Sequence, residues 1–149
     1  SFIPSTTSLP NYKFEIGKAW QVNEGKDVSI IATGHMVWEA IQAGEILAEK
    51  GIEADIINIH TIKPLDVEAI LKSVRKTNCV VTCEEHQMNG GLGDAVAQVL
   101  GKNYIAPQEY IAVDDSFGES GTPKDLMDKY GLSASNIVEK ALRVIQRKQ

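Results

Sequence analysis

Apolar runs of strand length, each followed by a helical stripe, organise the middle of this chain. Val28-Ser29-Ile30-Ile31-Ala32 is short and almost wholly apolar, as expected of a strand covered on both faces. Behind it, Val37, Ile41, Gly44, Leu47 and Ala48 recur at helical spacing between Met36 and Lys50, and Gly51 supplies a left-handed stop. The alternation then repeats. Ala54-Asp55-Ile56-Ile57-Asn58-Ile59 is a second strand, and Asp66 is placed to cap a helix whose Val67, Ile70, Leu71 and Val74 share one stripe. Cys79-Val80-Val81-Thr82-Cys83 is a third strand. The Gly-rich turn Gly90-Gly91-Leu92-Gly93 then feeds a helix carrying Ala95, Val96, Val99 and Leu100, closed by Gly101.

The flanks extend this pattern. Lys18-Ala19-Trp20-Gln21-Val22 reads as an edge strand and Tyr110-Ile111-Ala112-Val113 as a short final one. Thr122-Pro123 reads as an N-cap and first helical residue of a short helix ending at Gly131. Ser133 then caps a separate last helix through Ile137, Val138, Ala141, Leu142 and Ile145. Strands alternating with helices predict an α/β protein with a mostly parallel sheet and right-handed crossovers, a three-layer α/β/α sandwich. Residues 1–13, with Pro4, Ser5, Thr6, Thr7, Ser8 and Pro10 and no periodicity, are expected to be a linker or extended arm, and residues 14–149 the domain. A start at Ser1 without Met is expected of a processed subunit or an excised piece.

Composition narrows the function classes. The 149 residues suit one domain, and no apolar run approaches the ~20 residues that span a bilayer. The N-terminus lacks the basic and apolar regions of a secretory signal, so neither membrane insertion nor secretion is expected. With 15 basic against 20 acidic residues the net charge is −5, which offers no basic patch to a phosphate backbone and argues against nucleic acid as a partner. Cys79 and Cys83, four residues apart on a strand, stand too far from each other for a disulfide at ~3.3 Å per residue. They read as buried thiols of a cytoplasmic protein.

Candidate chemistry collects at strand ends. The turn Gly90-Gly91-Leu92-Gly93 could hold an anion on helix N–H groups, or could serve only close packing of helix on sheet. Its spacing is neither that of a dinucleotide fingerprint nor of a P-loop, and Asp94 already brings negative charge to the first turn. Glu84-Glu85-His86 follows the third strand at the carboxyl edge, where open α/β sheets bind ligands. It could supply acid and base or, with Cys83, metal ligands. Adjacent strand residues point to opposite faces, however, which favours loop-anchoring or interface roles. His35 and His60 also lie at strand ends without metal-ligand spacing, and neither Ser116 nor Ser120 sits on a strand-turn-helix nucleophile elbow. These residues compose no self-sufficient active site.

The segment Asp115-Ser116-Phe117-Gly118-Glu119-Ser120-Gly121, with Leu126, Tyr130-Gly131-Leu132 and Ile137, resembles the end of transketolases. Together with Thr61-Ile62-Lys63-Pro64-Leu65-Asp66, Glu84-Glu85-His86 and Gly90-Gly91-Leu92-Gly93, the chain from about Phe14 onward resembles the transketolase C-terminal domain, most of all that of split transketolases. The resemblance implies a five-stranded sheet with one antiparallel edge strand. It implies a thiamine diphosphate enzyme, with Mg2+, that moves a two-carbon ketol unit between sugar phosphates in the pentose phosphate pathway. Cofactor and metal would be held by upstream diphosphate- and pyrimidine-binding domains or a partner subunit, in a homo-oligomer. Gly93-Asp94-Ala95 departs from the family's Gly-Asp-Gly metal signature, so no catalytic, cofactor-binding or metal residue is expected on this chain, which alone is expected to be inactive. Its expected role is packing, subunit contact or regulation, with Glu84, Glu85, His86, Gly90, Gly91 and Gly93 as interface or loop-edge candidates. Deoxyxylulose-phosphate synthase and the 2-oxoacid dehydrogenase beta subunit share similar segments, and a stand-alone anion-binding regulatory module is the alternative from another class.

Overall fold

The computed structural model describes residues 18–34, 36–60, 64–85, 91–113 and 123–148. Chain order runs β1 (Ala19–Asn23), β2 (Val28–Ala32), α1 (Met36–Glu49), β3 (Ala54–Ile59), α2 (Val67–Thr77), β4 (Val80–Glu85), α3 (Gly91–Asn103), β5 (Gln108–Val113) and α4 (Pro123–Arg147). The strands form one sheet in the order β1-β3-β2-β4-β5. All neighbours are parallel except β1, which runs antiparallel to β3 with Ala19 opposite Ile59 and a register shift between Gln21 and Asn23. The antiparallel edge strand matches the expectation.

Both faces of the sheet are covered, which explains the unbroken apolar strands. Along β2, Ile30 and Ala32 join the core under α1 and α4, while Ile31 joins the core under α2 and α3. The first core takes Met36, Ala40 and Leu47 from α1 and Ile137, Ala141 and Val144 from α4. The second takes Ile70 and Val74 from α2 and Leu92, Val96 and Leu100 from α3. Gly51, at φ +79°, ends α1 in the left-handed conformation that a side chain would strain. Asp66 caps α2 and Asn78 closes it, also left-handed at φ 66°.

Three local expectations need correction. The C-terminal region is one continuous helix of 25 residues rather than two, because neither Gly131 nor Ser133 removes a backbone donor. A mid-helix Gly costs only about 1 kcal/mol, which the buried stripe of Ala134, Ile137, Val138, Ala141 and Val144 offsets. Gly101 likewise lies inside α3 rather than closing it, and nothing crowds the position its Cβ would take. The helix closes at Asn103, whose side chain donates to the Val99 carbonyl at 2.9 Å. Finally, Gly91, Leu92 and Gly93 belong to the first turn of α3, and Glu84 and Glu85 are the last residues of β4 rather than a loop beyond it. No helix among the described residues is long and apolar enough to cross a membrane.

Candidate functional site

The carboxyl ends of β2, β3 and β4 and the starts of α1, α2 and α3 share one edge of the sheet. Glu84 and Glu85 pair with Ala112 and Val113 of β5, and as consecutive strand residues they turn to opposite faces. Glu84, 4% exposed, turns toward α3 and accepts the backbone N–H of Leu92 at 3.2 Å and of Gly93 at 2.8 Å. A carboxylate on first-turn amides complements the positive end of the helix. The amides that could have cradled an external anion are therefore bound to a side chain of the same domain.

Gly93 makes this approach possible. A Cβ there would lie 2.6 Å from the Tyr110 ring on β5 and 3.2 Å from Glu84 Oε2. The Gln108 side chain adds a bridge, donating to the Gly93 carbonyl at 3.0 Å and to Thr82 Oγ1 at 3.3 Å. Gly93 thus serves the close packing of α3 on β4 and β5.

Glu85 belongs to the other face. It is buried and stands against Gly34, where a Cβ would lie 3.3 Å from Glu85 Oε1 and the backbone is left-handed at φ +56°. Glu39, in the first turn of α1, is buried at the same edge. Cys83, at zero exposure, belongs to the core under α1 and α4. Burial first, and then the carboxylates of Glu39 and Glu84, push its thiol far above the usual range. Cys79 is also buried, its thiol raised to about 11 by burial against the opposing charge of Lys148. Both cysteines are free, and both behave as small apolar residues rather than nucleophiles.

Among the described residues, no group of three or more His, Cys, Asp or Glu side chains is placed to hold a metal ion. Cys83 points into the core on the α1 side while Glu84 is engaged with α3, so the two do not converge. His60, one residue past β3, is partly buried, and burial lowers its pKa. His35, His86, Gly90, Ser116 and Ser120, and the arm 1–13, lie outside the described residues.

Two features escaped the sequence reading. At the amino edge, Asp55 is fully buried and accepts from Ser73 Oγ at 2.5 Å, Lys76 Nζ at 2.8 Å, the Gly25 N–H at 3.0 Å and Gln21 Nε2 at 3.1 Å. Ser29 Oγ shares hydrogen bonds with Ser73 Oγ and Thr77 Oγ1, each at 2.6 Å. The only sequence signal was an aspartate inside an otherwise apolar strand. At the carboxyl edge, Asp66 does more than cap α2: Oδ1 accepts the Ala69 N–H at 3.2 Å, and Oδ2 accepts the N–H of Ala19, 47 residues away, at 2.9 Å.

The family described as "Transketolase, C-terminal domain" matches residues 17–137. A 6-deoxy-6-sulfo-D-fructose transketolase subunit from Clostridium sp. (strain MSTE9) is 49% identical over 93% of this chain and 43% of its own length. A putative transketolase C-terminal section from Methanocaldococcus jannaschii is 44% identical over 90% of the chain and 42% of its length. A 1-deoxy-D-xylulose-5-phosphate synthase from Trichormus variabilis is 41% identical over 91% of the chain but 21% of its length. A solved structure described as a split gene transketolase, inactive beta4 tetramer, superposes with a TM-score of 0.82 at 42% identity, covering 95% of this chain and 46% of that one. The chain spans less than half the length of each of these proteins.

Proposed function

This chain belongs to the transketolase C-terminal domain family, and on that footing we propose that it is the C-terminal section of a split transketolase. The complete enzyme would use thiamine diphosphate and Mg2+ to transfer a two-carbon ketol unit between sugar phosphates, as in the pentose phosphate pathway, in the cytoplasm and as a homo-oligomer. The observation that carries this reading is 49% and 44% identity, over nine-tenths of the chain, to a transketolase subunit and a transketolase C-terminal section.

At the start of α3 the residues do not fit the cofactor's diphosphate. The one helix start that resembled an anion cradle has its Leu92 and Gly93 amides engaged by Glu84, which argues against a diphosphate there and equally against a stand-alone anion-binding module. Thiamine diphosphate and Mg2+ are therefore assigned to upstream diphosphate- and pyrimidine-binding domains or a partner subunit, and no step of ketol transfer is routed through this chain. Its part is contact. The carboxyl edge, with Glu85 and Gly91, meets the rest of the enzyme, while Glu84 and Gly93 hold that edge in shape from inside. Support comes from topology: β1 runs antiparallel, so Ala19 stands opposite Ile59 at the carboxyl end of β3, and β1 starts at this edge.

The competing reading, a domain of a deoxyxylulose-phosphate synthase, draws on the 41% identity to such an enzyme. One experiment addresses both. The chain alone, titrated with thiamine diphosphate and Mg2+ in a calorimeter, is expected to give no binding heat, and the complete protein is expected to transfer ketol units between sugar phosphates. A micromolar dissociation constant for the chain alone, about −8 kcal/mol, contradicts the assignment of roles. A complete protein that forms deoxyxylulose phosphate and transfers no ketol units contradicts the choice of enzyme.

A further inference from the structure

Asp66 joins two elements that the sequence keeps far apart. It is the N-cap of α2, and its second oxygen holds the backbone N–H of Ala19, the first residue of β1. A cap needs one acceptor oxygen, and serine, threonine and asparagine provide it as well as aspartate does. The second oxygen is therefore surplus to the helix and is spent on the start of β1. Among the described strands β1 pairs with β3 alone, its register shifts between Gln21 and Asn23, and Lys18 before it is exposed, while Trp20 and Val22 further along pack on the core. The bonded N–H is that of the Lys18–Ala19 peptide, so the carboxylate grips the first peptide unit of the strand.

We propose that Asp66 is a clasp that fixes the start of β1 against the start of α2, and that it thereby sets how the carboxyl edge faces the half that precedes it. The part concerning the preceding half rests on the transketolase reading above; the clasp itself does not. The end of an edge strand can fray. A charged acceptor anchored on the start of a helix removes that freedom at the first residue, because a hydrogen bond to a carboxylate is stronger than a neutral one.

The test separates the clasp from the cap. Asp66→Ser keeps one acceptor for Ala69 but has none left for Ala19. Asp66→Asn keeps the size and the cap but turns an NH2 group toward the Ala19 N–H. In this chain, both variants should raise amide exchange at Ala19 and trypsin cleavage of the Lys18–Ala19 bond about tenfold, the scale of one lost hydrogen bond. Exchange at Ala69, Ile70 and Val74 should change far less. Unchanged Ala19 exchange in both variants, or equal acceleration at Ala19 and throughout α2, overturns the clasp. In the complete protein the same variants should enlarge the radius of gyration measured by small-angle scattering. A broken clasp with an unchanged scattering profile overturns the orienting role. Neither readout uses activity, so these failures are distinct from failure of the transketolase assignment, which is read by ketol transfer.

Discussion

The two edges of the sheet solve the burial of polar groups in different ways. At the amino edge, Asp55, Ser29, Ser73, Thr77 and Gly25 bond to one another across β2, β3, α2 and the β1–β2 turn. Lys148, just after α4, adds bonds to the carbonyls of Asp27 and Thr77. Side chains there complete each other. At the carboxyl edge, Thr33 and the carboxylates of Glu39, Glu84 and Glu85 are buried among the described residues, the carboxylates set against glycines and helix starts. Backbone shape dominates there, with Gly34 and Gly93 allowing close approach. An edge completed from within has little left to offer a partner. The carboxyl edge, where buried carboxylates meet glycines and where β1 starts, is the one proposed to meet other parts of an enzyme.

Substitutions can break this contrast. The largest expected effect is at Asp55: Asp55→Ala leaves the Ser73 hydroxyl and the Gly25 N–H without their acceptor in a buried site, and should cost about 2–4 kcal/mol in urea unfolding. A loss below ~0.5 kcal/mol would show that the network is not what secures the amino edge.

Next comes Gly93. Gly93→Val drives a branched side chain into Tyr110 and should cost about 1–3 kcal/mol, with part of the loss recovered in the double variant that also carries Tyr110→Ala. Strict additivity of the two changes would mean that the ring moves aside freely. Glu84→Gln keeps one acceptor but removes the charge from the start of α3, and should cost about 1 kcal/mol. Added phosphate should not restore that loss, because the amides stay covered by the remaining side chain. Restoration by millimolar phosphate would revive the anion-site reading.

The smallest effect concerns acid. Partial burial alone would raise the Glu109 carboxyl, but hydrogen bonds and charge from Arg147 and Lys140 outweigh it, and the pKa is lowered. A carboxyl depressed in the folded state adds stability above its unfolded pKa and loses it as pH falls through the folded value. Stability should therefore fall on acidification below the ordinary glutamate range, and Glu109→Gln should flatten that limb by less than ~1 kcal/mol. An identical acid limb in the variant would remove Glu109 from the account.

Most of the fold was legible because burial on both faces leaves simple traces. β2 and β3 read as largely apolar runs, and Gly51 marked the end of α1. The Asp66 cap was legible because capping is local, with its partner three residues away. Its bond to Ala19 was not, because nothing in a chain marks a partner 47 residues distant. Glu84 was singled out for its position, yet its role depended on where the amides of α3 would stand once the sheet had formed. The break at Gly131 was misread for a related reason: local helix preference is weak, and packing downstream decides whether a helix continues.

Amide hydrogen exchange, compared between this chain alone and the complete protein, tests the contrast between the edges most directly. The account predicts added protection in the complete protein at carboxyl-edge amides such as Thr33, Gly34 and Glu85, with little change at Gly25, Asp27 and Glu53 of the amino edge. Added protection at the amino edge, with none at the carboxyl edge, would contradict it.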